Sequence, residues 1–457
     1  MNIKDDFILK DINEGYLVGG SIRDLYTKKC NFCDRDISIR NAESFAQKIA
    51  KKLDATFITL DSENKIYRIV LKDKINYLDI SELQGETIEE DLKRRDFTIN
   101  AIAYDLRNNK FIDVTGGLED LKNGVLRHIA DKNFEEDPLR ILRAFRFYAI
   151  TGFKMTDELK NALDKYMPLA LNPAKERINY ELMKLFGGGF ASNALLEMDK
   201  YGLLEKIFPC VKDMKKVPPN THHHLDLFHH VVETVKQIES IYEELSGFEK
   251  EHMGKVDFGG FPRINHLKLA GFLHDIGKFS TWTIEDTGRH RFIKHDDVGA
   301  KMAVPLLKEL KFSKKQIEYI SGMIKNHIYP SNVIAAPVLN EKVMMRYLRK
   351  MEDNVIDNII LAKADRLSAR GVDITEEIVN SNLNGLDTLL HFYLDKKDSM
   401  KPLPKLLDGQ EIMNILNITP SPKLGIVIEC LKEAQLNGEI TTKEEAIDFI
   451  KTNNYSS

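Results

Sequence analysis

The spacing of apolar positions changes along this chain, and the change divides it. In the first 127 or so residues, Phe57 to Leu60, Tyr67 to Leu71 and Asn76 to Ile80 are short β-prone runs, while Ala42 to Leu53 carries helical spacing. An α+β head is expected, a small mixed sheet with helices. From Asp137 the period turns helical and stays so. Pro138 sits where a helix can start without losing a hydrogen bond, and Leu139, Leu142, Phe145 and Ala149 form one stripe. Lys216-Val217-Pro218-Pro219-Asn220 breaks the helices, and a histidine-rich helical region follows. A second break, Lys401-Pro402-Leu403-Pro404, precedes a tail with helices expected over Gly409 to Leu416 and Ile426 to Leu436. The expected organisation is a head over 1–127, then all-α segments: a neck over 128–215, a histidine-rich domain over 216–400 and a tail over 401–457. Neither solenoid-length repeats nor low-complexity tracts are visible.

A chain of 457 residues exceeds one usual core, and 43% hydrophobic content suffices to bury several. No run approaches the roughly 18 apolar residues of a membrane span. Met1-Asn2-Ile3-Lys4-Asp5-Asp6 is too polar for a signal peptide, so a cytoplasmic protein without a membrane partner is expected. Four cysteines agree with a reducing compartment. Cys30 and Cys33 form a C-x-x-C just before Asp34, but Cys210 and Cys430 supply no second one. A zinc ribbon lacks half its ligands, a thioredoxin-like pair needs another context, and the plain reading is two loop cysteines. A net charge of -4 gives no global signature of a nucleic-acid binder. Any such site must be a local patch, with Lys93-Arg94-Arg95, the set Arg140, Arg143 and Arg146, or Lys175 with Arg177 as candidates against the ordinary alternative of a solvated charged face.

The chemistry-bearing residues begin early. In Leu17-Val18-Gly19-Gly20-Ser21-Ile22-Arg23-Asp24, glycines opening a helix let backbone N–H groups approach a triphosphate, and Arg23 can clamp a phosphate oxygen. In Asp34-Arg35-Asp36-Ile37, two carboxylates one residue apart on a strand share a face and can hold Mg²⁺. An isolated D-x-D says little. Here it continues in order through Arg94-Arg95-Asp96-Phe97-Thr98-Ile99-Asn100, Ile112-Asp113-Val114-Thr115-Gly116-Gly117, Glu136-Asp137-Pro138-Leu139-Arg140-Ile141-Leu142-Arg143-Ala144-Phe145-Arg146-Phe147 and Glu176-Arg177-Ile178-Asn179-Tyr180-Glu181.

These ordered motifs resemble the class II tRNA nucleotidyltransferases (CCA-adding enzymes) and bacterial poly(A) polymerases, a branch of the DNA polymerase β superfamily. The resemblance implies attack by the 3′-hydroxyl of a tRNA on the α-phosphate of CTP or ATP. It assigns Gly19, Gly20 and Arg23 to the triphosphate, Asp34 and Asp36 to catalytic Mg²⁺, and Arg95 and Asp96 to the phosphates and ribose. It gives Asp137, Arg140, Arg143 and Arg146 to the nucleotide, and Asp79, in Tyr77-Leu78-Asp79-Ile80, to a third catalytic carboxylate near the attacking hydroxyl. Base chemistry agrees for Asp137 and Arg140. Adenine and cytosine both present an amino donor beside a ring-nitrogen acceptor, which a carboxylate and a guanidinium can read, whereas uracil and guanine present the opposite pattern. The bland reading of Asp137 is a helix N-terminal carboxylate.

A second constellation follows. Asp226-Leu227-Phe228-His229-His230 begins a helix, Leu273-His274-Asp275-Ile276-Gly277-Lys278 lies some forty residues on, and His295, His327 and Asp365 come after. The ordered set His230, His274, Asp275, His295, His327 and Asp365 resembles the HD superfamily of metal-dependent phosphohydrolases. Imidazole and carboxylate ligands suit Mn²⁺, Ni²⁺, Fe or Zn²⁺, with Mg²⁺ a further choice, and Lys278 is placed to meet a phosphate. His222-His223-His224 reads as an exposed loop. The resemblance implies cyclic phosphodiesterase, nucleotidase or phosphatase chemistry, and the tail resembles that of HD-containing CCA enzymes. CC-only addition, A-only addition and poly(A) synthesis share the head motifs. A reading of a different class makes the head an RNA-binding module for a working HD hydrolase.

Overall fold

The structure is a computed structural model that describes residues 3, 6–26, 35–398 and 404–453, except for the side chains of residues 11, 24–26 and 422. Asp34, Cys30 and Cys33 lie outside the described residues. The chain forms two compact units: residues 1–209 with 308–312, and residues 210–307 with 313–457.

In the first unit the strands are β1 (Tyr16–Val18), β2 (Asp36–Ile39), β3 (Thr56–Asp61), β4 (Ile66–Val70), β5 (Tyr77–Glu82), β6 (Ile102–Asp105) and β7 (Lys110–Asp113). They form one sheet in the order β3-β4-β5-β2-β1-β6-β7, antiparallel except where β2 runs parallel to β5. Alternation sets the buried face: Tyr67 and Ile69 on β4 and Leu78 and Ile80 on β5 point inward, whereas edge strand β3 is largely exposed. Helix α1 (Gly20–Tyr26) follows β1, and α2 (Ala42–Lys52) follows β2. The apolar face of α2, Phe45, Ala46 and Ile49, is buried against β4 and β5. Burying Phe45 and Ile49 is worth roughly 1.5–3 kcal/mol each. The free N–H groups at the start of α2 are met from β5, where Glu82 accepts from Asn41 and Ala42 at 3.0 and 2.9 Å.

Beyond the sheet come α3 (Ile88–Lys93), α4 (Gly117–Asn123), α5 (Lys132–Glu136), α6 (Leu139–Thr151), α7 (Asp157–Tyr166) and α8 (Lys175–Phe186). Pro138 stands at the start of α6 and Gly152, at φ +69°, ends it. Its buried stripe of Leu139, Leu142, Phe145 and Ala149 leaves Arg140, Arg143 and Arg146, three residues apart, along another side. Residues 308–312 belong to this unit, and the Asn179 side-chain amide on α8 donates to the Leu310 carbonyl at 2.9 Å.

The second unit is helical. Helix Arg263–Leu273 is buried along its whole length, polar residues included, so each of its charges needs a partner. Arg263 has Asp357, which is fully buried and also accepts from Tyr319 and His252; Lys268 faces Glu239 at 3.6 Å. The tail helices Gly409–Leu416, Pro422–Asn437 and Lys443–Thr452 enclose a core of their own, including Ile412, Val427, Leu431 and Ile450. Among the described residues no helix is long and apolar enough to cross a membrane.

Candidate functional site

β1 ends at Val18, and the chain turns into α1 through Gly19, which adopts φ +72°. A side chain there would be strained by the backbone and would stand 3.4 Å from the Asp36 carboxylate and 3.5 Å from the Arg95 guanidinium. The same glycine therefore marks where the start of a helix, a strand carboxylate and an arginine converge. Asp36 lies beside Asp79 in the parallel register of β2 and β5, so both carboxylates share a face. Asp79 is engaged in a bidentate pair with Arg68 on β4, both contacts at 2.7 Å, with the guanidinium over Tyr77.

The arginines of α6 come to this place through an ordered network. Asp96, almost fully buried, accepts from Arg143 Nε at 2.7 Å, Asn100 at 3.0 Å and the Phe97 backbone N–H at 2.8 Å. Arg23 donates to the other end of Asn100 at 2.9 Å, and buried Glu181 on α8 pairs with Arg146 at 3.1 Å and Arg143 at 3.5 Å. Guanidinium groups of Arg23, Arg143 and Arg146 surround one ring, Phe147, at 5.3, 5.5 and 4.1 Å. Asp137 precedes α6 and pairs with Arg177 of α8 at 2.9 Å, while Arg140 donates to the carbonyls of Asn133 and Arg94. Arg95 itself is held by Asp91 at 2.9 Å.

Burial pushes the Asp96 carboxyl up, but Arg143, Asn100 and the Phe97 N–H outweigh it and hold the group at about 2, below its ordinary 3.8. A lowered folded-state value adds stability that is complete above the unfolded value and disappears as pH falls toward the folded one. Roughly 2 kcal/mol should therefore be lost between about pH 4 and 2. Arg143→Met should cost roughly 3–5 kcal/mol at pH 7, because it leaves a buried carboxylate uncompensated. The deficit should shrink on acidification, as Asp96 takes up a proton. Urea unfolding at pH 7 and pH 4 checks this, and a cost independent of pH would contradict it.

In the second unit, five segments bring six side chains together. His230 lies in the first turn of helix Leu227–Glu244, His274 and Asp275 directly follow helix Arg263–Leu273, and His295 opens helix His295–Glu309. His327 ends helix Lys314–Asn326, and Asp365 lies in helix Val355–Ser368. Asp275 Oδ2 faces the Nε2 atoms of His230 and His274 at 3.3 and 3.2 Å, while Oδ1 faces those of His295 and His327 at 3.3 and 3.6 Å. Asp365 Oδ1 lies 3.2 Å from His230. The ring orientations are fixed from behind: Nδ1 of His274, His295 and His327 each sits 2.7 Å from a backbone carbonyl, and His230 Nδ1 faces Ser368 Oγ at 3.2 Å. With Nδ1 turned to a carbonyl, Nε2 of each of these three rings is the nitrogen that faces the common centre. Despite these short separations, Nε2 of His230 and His274 and both Asp275 oxygens make no aligned hydrogen bond, although all are buried. Overlapping triads of these residues could each hold a metal ion, and the donor set suits a divalent one.

Burial opposes charge on His274, yet Asp275 and Asp365 outweigh it and lift the imidazole to about 10. Burial and the neighbouring His274 hold His327 down at about 4. The Asp275 and Asp365 carboxyls, which burial alone would raise, are held well below the usual range by the facing imidazoles, and Asp275 also by Lys278.

Comparison with known proteins follows the same division. Residues 15–127 match the poly A polymerase head domain, 152–215 the domain described as a probable RNA and SrmB-binding site of polymerase A, and 227–370 the HD domain. The A-adding tRNA nucleotidyltransferase of Deinococcus radiodurans is 29% identical over 95% of this chain and 94% of its own length. The CC-adding tRNA nucleotidyltransferase of Thermus thermophilus is 28% identical over 97% and 95%. The chain belongs to the tRNA nucleotidyltransferase and poly(A) polymerase family. It is a nucleotidyltransferase with an attached HD domain. The solved CCA-adding enzyme of Bacillus stearothermophilus in complex with CTP shares its fold, at TM-score 0.57 and 19% identity, over 98% of this chain and 95% of that one.

Against that family background, the motif residues Gly19, Gly20, Arg23, Asp36, Arg95, Asp96, Arg143 and Arg146 gather at the end of β1 and along α6. Asp137 and Arg140 stand at the start of α6. Sequence reasoning missed the parts that hold them: Phe147 and Glu181, each read only as part of a motif, and Arg177 as the partner of Asp137. It also read His222-His223-His224 as an exposed loop. That fits His222 and His224, but the His223 ring lies 4.4 Å from the ring of His230. The signal available was the Asn220 that precedes it, whose side chain accepts the N–H groups of His222 and His223 and turns the loop inward.

Proposed function

We propose that this chain adds C and A to the 3′ end of tRNA without a nucleic-acid template, using CTP and ATP and releasing pyrophosphate. The observation that carries the reading is the meeting of Gly19, Asp36 and Arg95 beside the arginine cluster of α6, in a chain whose whole length resembles tRNA nucleotidyltransferases. In this reading 1–127 is the catalytic head, 128–215 the neck, 216–400 the HD domain and 401–457 the tail, in a cytoplasmic enzyme. Asp34 and Asp36 would hold Mg²⁺, which when bound neutralises triphosphate charge and favours attack by the 3′-hydroxyl. Arg23 draws the triphosphate into place, Arg95 and Asp96 engage the phosphates and ribose, and Arg143 and Arg146, held by Asp96 and Glu181, present the nucleotide-binding side of α6. Asp137 and Arg140 read the amino and ring-nitrogen edge common to C and A, with Arg177 orienting the carboxylate.

The HD cluster is a metal-dependent phosphohydrolase centre in the same proposal, with Mn²⁺, Ni²⁺, Fe, Zn²⁺ or Mg²⁺ held by His230, His274, Asp275, His295, His327 and Asp365. The two faces of Asp275 favour a pair of ions over one.

A narrower reading is favoured by one observation: relatives matching over nearly the whole chain are named A-adding and CC-adding enzymes. Extension of tRNAs ending before CCA, after C and after CC, with CTP and ATP separately and together, decides between them. Completion to CCA followed by a stop supports the full activity. Addition of CC only or A only assigns a split pathway, a long adenylate tail assigns poly(A) synthesis, and no extension moves the function to the HD centre.

A further inference from the structure

One imidazole beside the HD cluster is neither a ligand nor accounted for by packing. His223 sits in the turn before helix Leu227–Glu244, fixed by Asn220, whose Oδ1 accepts from the backbone of His222 and His223 and whose N–H donates to the His223 carbonyl at 2.8 Å. Its Nε2 lies 3.3 Å from Lys278 Nζ, and that ammonium lies 2.6 Å from Asp275 Oδ2. An ammonium has hydrogens to give and no lone pair, so Nε2 of His223 must accept and the ring hydrogen must sit on Nδ1. Nε2 is thereby committed to Lys278 and cannot face a metal. Nδ1 is buried and has no hydrogen-bond partner. A histidine serving only the fold would have both nitrogens satisfied, since a buried N–H without an acceptor destabilises the protein. Beside it is a small pocket, largely apolar through Val217, Pro218 and Leu225 and with His223, His230 and Lys278 on its polar side, with about 10 Å³ of free volume, room for roughly one water-sized group. A phosphoryl oxygen is of that size.

We propose that His223 Nδ1–H and Lys278 Nζ form the phosphate-binding wall of the HD centre, each donating to a non-bridging oxygen of a phosphate ester lying against the metal ligands. The assignment rests on the phosphohydrolase reading of that cluster. It adds a residue outside the metal ligands and explains why Lys278 is held between Asp275 and an imidazole rather than left in solvent.

The test separates the two nitrogens. Asn in place of His223 puts an amide N–H near the position of Nδ1, and Gln puts its amide near Nε2. Inorganic phosphate is titrated calorimetrically into the full-length chain loaded with Mn²⁺, and bound Mn²⁺ is counted for each variant. His223→Asn should bind phosphate within about threefold of the parent, while His223→Gln and His223→Ala should bind roughly tenfold or more weakly. Mn²⁺ content should be equal in all. Unchanged phosphate affinity in His223→Ala would overturn the proposal. So would rescue by Gln and not Asn, which would make His223 a support for Lys278 alone, and so would loss of Mn²⁺ from the variants. A loaded parent protein that binds no phosphate would overturn the phosphohydrolase reading, and this assignment with it.

Discussion

Asp36→Asn is expected to lower nucleotide transfer by at least about 10³-fold while the protein stays folded. The substitution keeps the size and planarity of the side chain and removes its charge. β2 is flanked on both sides, by β1 and β5, so the backbone that presents residue 36 has no freedom to compensate. What disappears is one of the negative groups that can hold a cation against the triphosphate, in a place where Arg95 and the N-terminus of α1 supply positive potential. Several kilocalories of transition-state stabilisation depend on that charge, and a few are enough for the stated factor. Single-turnover extension of a tRNA lacking its last nucleotides gives the rate, and circular dichroism with urea unfolding verifies the fold. Transfer within tenfold of the parent would remove Asp36 from the catalytic centre. The same substitution at Asp34 carries the same expectation from the sequence motif.

Asp275→Asn should abolish metal binding at the HD cluster, weakening it by about 100-fold or more, without altering nucleotide transfer. Asp275 is the one side chain that faces four of the imidazoles, two with each oxygen. Without its charge the histidines converge with only Asp365 to balance a cation. An outer partner of a ligand is commonly worth 10–100-fold in affinity, and a ligand shared by the whole cluster should exceed that. Metal content after dialysis against Mn²⁺, together with calorimetric titration, measures the loss. Retention of Mn²⁺ at parental stoichiometry would refute the assignment. Transfer activity provides the internal control, since every residue assigned to it here precedes residue 182.

Much of this arrangement was legible before any coordinates. Strands and helices of the head followed from β-branched runs and from the stripe of α2. Those signals are local, and they persist because the buried faces of β4 and β5 alternate regularly. The candidate chemistry came from a different signal: Asp36, Arg95 and Arg143 stand in an order of motifs that resembles the tRNA nucleotidyltransferases. Contacts between residues far apart in the chain were not legible. Asp6, counted only as part of a polar N-terminus, accepts from the Ile8 and Leu9 backbone and forms a buried pair at 2.6 Å with Arg35, the residue just before the strand that carries Asp36. Helix Arg263–Leu273 hides its role for a related reason: being buried on all sides it has no amphipathic period, and the charge of Arg263 makes sense only once Asp357, 94 residues later, is in place. His223 was misread because a polar run before a helix ordinarily faces water, and a single side-chain cap from Asn220 was enough to reverse it.

The inclusion of residues 308–312 in the first unit has a consequence for how the chain is made. The buried amide of Asn179 finds its acceptor in Leu310, so the unit that holds the transferase residues is finished only when a segment roughly a hundred residues beyond its own last helix leaves the ribosome. At ordinary rates of synthesis that is a wait of roughly 5–20 s, during which the Asn179 amide lacks the acceptor it has in the finished unit. A gene truncated after residue 215 would make the wait permanent, encoding every transferase residue and still omitting part of the unit that positions them.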